Sequence, residues 1–305
     1  MPSTVFMSSS AKPRQALADG ALLAITCIWG ITFPLVKSAL RDTNALSFVA
    51  VRMSLAAVLL IVGYRLDWRR IPLAAWSAGA VAGAFLAAGY ALQTAGLALT
   101  SPSAAAFITG TMVVLVPLLL AAFWRRRLRS TAWWGALLAL AGLYLLVAYP
   151  AAAQAAGSVR TWRGDAMVGG CAVAFALQII WVGEWAPRVK VGDLAVLQIL
   201  FAALFTWMML PAVTTLQWHN TTYLWVAIAI TAVLATAVAF AVQTWAQQFT
   251  PATHAVVIFA AEPIFATLAS AIGWHEHLRA IQILGAALIV AAMVVVEWRP
   301  RASSS

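Results

Sequence analysis

Charged side chains make up only 9% of this 305-residue sequence, so the few that fall inside long apolar runs are where chemistry is to be sought. Glu262 lies midway along the apolar run 252–273, and Pro263 beside it removes a backbone donor and frees a carbonyl. An intramembrane carboxylate next to an interrupted helix suits a proton or a substrate ammonium group. The plainer alternative is a structural glutamate bonded to a neighbouring helix. Arg52 interrupts the run 45–64 and would either bridge helices or hold a carboxylate. Lys37 is expected to snorkel outward, and His254, two turns before Glu262, would be a proton relay or a boundary histidine.

Uncharged groups fill in a candidate path. Gln93-Thr94 and Gln243-Thr244 would form a matched polar ring or hold helices together, with Tyr90 and Phe240 one turn earlier on the same faces. Gln178, Trp181 and Trp185 follow at helical spacing, with Glu184 alongside. Gln178 and Trp181 are the cavity candidates, able to bind a zwitterion or an aromatic side chain; Trp185 reads as interfacial. Thr26, Gly30, Phe33 and Lys37 make one stripe, so Thr26 and its neighbour Trp29 join the expected path. Pro34, Pro117 and Pro263 are the candidate bending points.

The elements that must position these residues are membrane spans. The chain is 64% hydrophobic, and its uncharged runs are each near the length that crosses ~30 Å of hydrocarbon. Ten spans are expected near 19–40, 45–64, 72–97, 103–124, 131–149, 164–185, 192–211, 223–248, 252–273 and 280–298. The short connections carry turn chemistry, as in Thr100-Ser-Pro-Ser. Cys27 and Cys171, the two cysteines, each lie inside an apolar run, which argues against a disulfide framework.

The chain also repeats itself. Displaced by 150 residues, Tyr90-Ala-Leu-Gln-Thr falls on Phe240-Ala-Val-Gln-Thr, Trp124 on Trp274, Leu128-Arg129 on Leu278-Arg279 and Gly135 on Gly285. The expected organisation is a tail 1–18, a five-helix repeat 19–149, a linker 150–163, a second repeat 164–298 and a tail 299–305. Lys12, Arg14, Arg65, Arg69, Arg70, Arg125, Arg126, Arg127, Arg129, Arg188, Lys190, Arg299 and Arg301 fall on one side. They outnumber Lys37, Arg41, Arg160, Arg163 and Arg279 on the other, which places both termini in the cytoplasm. A repeat of five spans enters the second time upside down. The fold class is thus all-α integral membrane, ten transmembrane helices as two inverted repeats, a geometry typical of alternating-access carriers.

These residues resemble the drug/metabolite transporter superfamily and, within it, the ten-span EamA-type carriers. The resemblance rests on Trp29-Gly-Ile-Thr-Phe-Pro, Arg52, Glu262-Pro263 and Gly285, in order along nearly the whole chain. It implies two four-helix groups around a central cavity, fifth and tenth helices outside, and export or exchange of small metabolites. Its YddG-type branch implies amino acids, aromatic or neutral. The family glutamate after the fourth and ninth spans is Glu276 in the second copy but Arg126 in the first, a departure from the pattern.

Other classes are set aside. The net charge of +10 is scattered between apolar runs, with no free basic domain, so lipid headgroups and not nucleic acid are the expected anionic partner. No nucleophile–base pair, H-E-x-x-H or phosphate loop is present, so catalysis is not expected. His275 and His277 flank Glu276 without a third ligand, so no metal and no cofactor is expected. The Asn220-Thr-Thr sequon is discounted in a chain of bacterial style, for which the inner membrane is the expected location. What remains is a carrier working as a monomer on a small solute, with a passive facilitator, or an exporter of nucleosides or cationic drugs, as the alternatives.

Overall fold

The computed structural model describes residues 11–100, 102–148, 162–274 and 279–297. The expected linker up to residue 161, the outermost tails and His275-Glu276-His277 lie outside the described residues. Among the described residues ten helices are long and apolar enough to cross a membrane. They fall where the apolar runs place them, except that the first begins at Ala11 and continues to Ala39, earlier than expected. Leu73–Leu99, the third, would reach about 40 Å at 1.5 Å per residue. The face from which the first span starts is called near below, and the opposite face far.

Four spans depart from simple α-helix. The fourth divides into Pro102–Gly110 and Met112–Ala122, the ninth into Ala252–Phe259 and Glu262–Trp274. The breaks fall at Thr111 and at Ala260–Ala261, and 150 residues separate Thr111 from Ala261. Thr111 and Ala260 share one backbone conformation, with φ near −61° and ψ of −12°. At each break an amide bonds three residues back, Thr111 to Ile108 at 3.1 Å and Ala261 to Ile258 at 3.0 Å, so the helix tightens and redirects without ending. The fifth and eighth spans contain π-helical stretches, Tyr144–Ala148 and Val233–Val238.

Proline does not account for all of this. Pro34 sits inside a continuous helix, and Pro117 lies inside Met112–Ala122, well past the break at Thr111. Of the three expected bending points, Pro263 alone adjoins an interruption.

Small residues decide which helices touch. The first span packs on the eighth and ninth, the sixth on the third and fourth, the third also on the seventh, and the second on the seventh and eighth. The fifth and tenth pair with each other. A Cβ on Gly83 would lie 2.6 Å from the Cβ of Phe201 and 2.7 Å from the carbonyl of Gln198, so third and seventh spans meet backbone to backbone. Gly142 and Gly285 do the same for the outer pair, each 2.6 Å from the other's carbonyl oxygen at the built Cβ. On the near side Leu22, Ile25, Val116, Leu120, Ile180 and Val256 belong to one buried cluster. On the far side the first and seventh connections are stitched together. Asn44 caps the second helix through the amide of Ser47 at 2.9 Å, while its Nδ2 donates to the carbonyl of Thr215 at 2.7 Å.

The glycine contacts give a direct test. Gly83→Ala should cost about 1–3 kcal/mol through overpacking, seen as a lower Tm in detergent. Gly63→Ala, where nothing lies within 4 Å of the added Cβ, should not lower it. Equal behaviour of the two variants would contradict the packing described.

Candidate functional site

One cavity of about 80 Å³ lies between the spans, from mid-depth toward the far face. Trp29, Thr32 and Val36 reach it from the first span, Arg52 from the second, and Tyr90, Gln93, Thr94 and Leu97 from the third. The fourth contributes Thr109 and Met112, the sixth Phe175, Gln178 and Ile179, the eighth Phe240 and Gln243, and the ninth Phe259 and Glu262. The fifth, seventh and tenth spans contribute nothing to this lining.

The local backbone explains how Glu262 arrives there. It is the first residue after the ninth-span break, so the redirected helix presents its side chain at the cavity. The first span can approach the break because Gly30 has no side chain; a Cβ there would stand 2.5 Å from the carbonyl oxygen of Glu262. Among the described residues no hydrogen bond or ion pair engages the Glu262 carboxyl group.

Arg52 depends on the π-helical stretch of the eighth span. Its Nε donates to Thr236 Oγ1 at 2.7 Å, and one terminal nitrogen donates to the Ala235 carbonyl at 3.2 Å and to the Tyr90 hydroxyl at 3.4 Å. The guanidinium carbon stands 4.7 Å from the centroid of the Tyr90 ring. The Ala235 carbonyl also accepts from the Trp29 indole at 2.9 Å. The expanded π register therefore serves as a common acceptor for two side chains from other helices. The second terminal nitrogen of Arg52 has no partner among the described residues, which leaves donors for a solute.

Toward mid-depth lies a chain of amides. Gln243 donates to Gln178 at 3.1 Å and to Gln247 at 3.0 Å; Gln178 donates to Gln198 at 3.1 Å, and Gln198 to Thr244 at 2.7 Å. Gln247 ends the chain on the carbonyl of Ile179 at 2.8 Å. The side-chain oxygen of Gln243 is buried without a partner among the described residues, where the residue lines the cavity. An aromatic belt completes the walls. Trp29 packs against Phe240 and Phe259 at centroid distances of 5.8 and 5.2 Å, and Tyr90 against Phe175 at 5.1 Å.

The cavity thus brings together Trp29, Arg52, Tyr90, Gln93, Gln178, Gln243 and Glu262 of the residues singled out from the sequence. It leaves out four others. Trp181 faces the third span instead, donating to the carbonyl of Ala78 at 3.0 Å and packing against Trp185. Thr26 is fully buried and turned back on its own helix, its hydroxyl on the carbonyl of Leu22 at 2.7 Å. Lys37 does not run outward but donates to the carbonyl of Leu97 at 2.6 Å, which closes the end of the third helix. His254 lies on the near side between Asp19 and Glu297, at 3.9 Å from each. Sequence reading passed over Gln198, Thr236 and Phe175. A signal existed for two of them. Aligning Asp19 with Asp165, a displacement of 146 residues, sets Trp29 on Phe175 and Arg52 on Gln198.

Comparison with known proteins fits this architecture. The chain belongs to the EamA-like transporter family, whose model matches residues 17–148 and again 162–298. The family model thus matches once in each half of the chain. An uncharacterized transporter of Archaeoglobus fulgidus is 31% identical over 286 residues, covering 94% of this chain and 87% of that protein. A solved crystal structure superposes with a TM-score of 0.75 at 20% identity, over 95% of this chain and 97% of the other, and shows a shared fold. The protein is an integral membrane transporter by family and by its ten apolar helices.

The amide chain predicts a contrast between two glutamines. Gln198→Leu strands the buried amide of Gln178 and should cost about 1–3 kcal/mol. Gln93→Leu, whose amide has no partner among the described residues, should leave Tm unchanged. Thermal unfolding of both variants measures it, and similar losses in the two would contradict the network.

Proposed function

We propose that the protein is a secondary carrier that exports or exchanges small zwitterionic solutes, amino acids above all, in the manner of YddG-type exporters. The observation that carries this reading is the pairing of Arg52 and Glu262 on one cavity. Both come from the group formed by the first, second, eighth and ninth spans. In the proposed complex the free Arg52 nitrogen holds the solute carboxylate and Glu262 its ammonium group or a coupled proton. The opposite wall offers Tyr90, Gln93, Thr109, Met112, Phe175 and Gln178, with no charge among them. Aromatic rings and amides of that kind suit an aromatic or neutral side chain, by stacking and by hydrogen bonds. The belt around Glu262 also fits an organic cation, which makes cationic solutes the first alternative to test.

The repeat supports a mechanism of alternating access. Units at 19–149 and 164–298, entering the membrane in opposite senses, would rock about the cavity, with the paired breaks at Thr111 and Ala260–Ala261 as the places that yield. The basic residues at the near ends, among them Arg65, Arg69, Arg70 and Arg126, support a reading in which the near face and both termini are cytoplasmic, in a bacterial inner membrane. The cavity then stands toward the exterior, with the near side filled by the buried cluster. The proposed working unit is the single chain, bound by lipid and needing no cofactor.

The test is uptake of labelled amino acids by purified protein in liposomes preloaded with unlabelled amino acids, nucleosides or cationic drugs. Trans-stimulated, saturable amino-acid uptake is expected. Glu262→Gln should lower it by at least about tenfold, the equivalent of about 1.4 kcal/mol, with Tm retained. Exchange of another class alone would sink the substrate assignment. Uptake indifferent to preloading would favour a facilitator, and undiminished exchange by Glu262→Gln would remove that residue's role.

A further inference from the structure

Two threonine–aspartate hydrogen bonds join the halves at corresponding positions. Thr100 donates to Asp165 Oδ1 at 2.7 Å, joining third and sixth spans on the far side. Thr250 donates to Asp19 Oδ1 at 2.6 Å, joining eighth and first spans on the near side. Thr100 and Thr250 are matched at 150 residues, and Asp19 and Asp165 at 146. The ties are therefore counterparts. Next to the near tie stand His254 and Glu297, where the first copy has Ala104 and Val147.

From this arrangement we infer that Asp19, His254 and Glu297 form a binding site for a divalent transition metal of the zinc class. Their donor atoms lie within 4.8 Å of one another. His254 Nε2 is 3.9 Å from Asp19 Oδ2 and 3.9 Å from Glu297 Oε1, too far for hydrogen bonds and close enough for an ion to draw together. The imidazole is buried, with a side-chain exposure of 6%. Its outward nitrogen thus faces two carboxylates without a hydrogen-bonding partner among the described residues, while Nδ1 lies 3.4 Å from the amide nitrogen of Gln15.

The surroundings are those of a held ligand set. Thr250, itself buried, occupies Asp19 Oδ1 and so turns Oδ2 toward the histidine, as outer partners orient metal-binding carboxylates. One imidazole and two carboxylates match zinc, with a fourth position left to water. An imidazole in the set disfavours magnesium and calcium, which take oxygen ligands. Glu297 is 59% exposed at its side chain and sits on the last helical turn described, free to close on an ion. Bound there, the ion ties the near ends of the first, ninth and tenth spans and stabilises the conformation that has them together.

The test uses the full chain in detergent, with any affinity tag removed, titrated with Zn²⁺ and followed by calorimetry and by Tm. A single Zn²⁺ per chain is expected, with a rise in Tm. Affinity should fall by about tenfold or more in His254→Gln and in Glu297→Gln, and stay unchanged in His219→Gln, an exposed histidine elsewhere. Glu297→Gln guards against misfolding, since its exposed side chain can be replaced without disturbing the core. Absence of binding, or binding equal in all three variants, overturns the site. A Tm that rises on acidification through His254 but not with Zn²⁺ also overturns it, and assigns the cluster to an imidazolium held by two carboxylates.

Discussion

A guanidinium inside an apolar bundle is the constraint on which much of this structure depends. An arginine left facing hydrocarbon at the helix centre would cost about 2.5–3.5 kcal/mol or more. Arg52 avoids that by taking Thr236 and the carbonyl of Ala235, and both lie in the π-helical stretch Val233–Val238. The departure from α-helix is thus coupled to the charge. The same carbonyl receives Trp29, and Tyr90 stacks under the guanidinium, so first, second, third and eighth spans meet around one cation.

Near-symmetry of the two halves makes their differences informative. Tyr90 answers Phe240, Gln93 answers Gln243, and Trp29 answers Phe175, all of them lining the cavity. The pairs that break the rule carry the charge. Glu262 stands opposite Met112, and Arg52 opposite Gln198. Backbone geometry at the fourth- and ninth-span breaks is nearly the same, so the asymmetry lies in side chains and not in the fold. The cavity thus has one charged and one neutral wall.

Much of this was legible in the sequence, because it follows from apolar run length and from repetition. The ten spans and the Gln93/Gln243 pair needed no more than that. Helix rotation was not legible. Gln178, Trp181 and Trp185 share one stripe by spacing, yet Gln178 faces the cavity while Trp181 bonds the third span. Nothing in residue type says which side of a buried helix sees the cavity and which sees a neighbour. Lys37 is expected outward because its stem is long enough to snorkel, and the carbonyl of Leu97 near the end of the third helix is the nearer acceptor. The π stretch of the eighth span has no proline or glycine within it to betray it; the requirement comes from Arg52, 184 residues away along the chain. Gln198 lay in an apolar run and gained meaning only beside its counterpart.

The central claim is that the two helix groups move against each other about the cavity. Its most direct test is the distance between spin labels on opposite groups, measured with and without amino acid, after replacement of Cys27 and Cys171. One pair at Ser38 and Arg163 reports the far ends of the first and sixth spans, and one at Gly20 and Arg188 their near ends. Alternating access predicts that solute shortens the first distance and lengthens the second. Distances that stay fixed in both pairs while solute is transported would contradict it and leave a static pore.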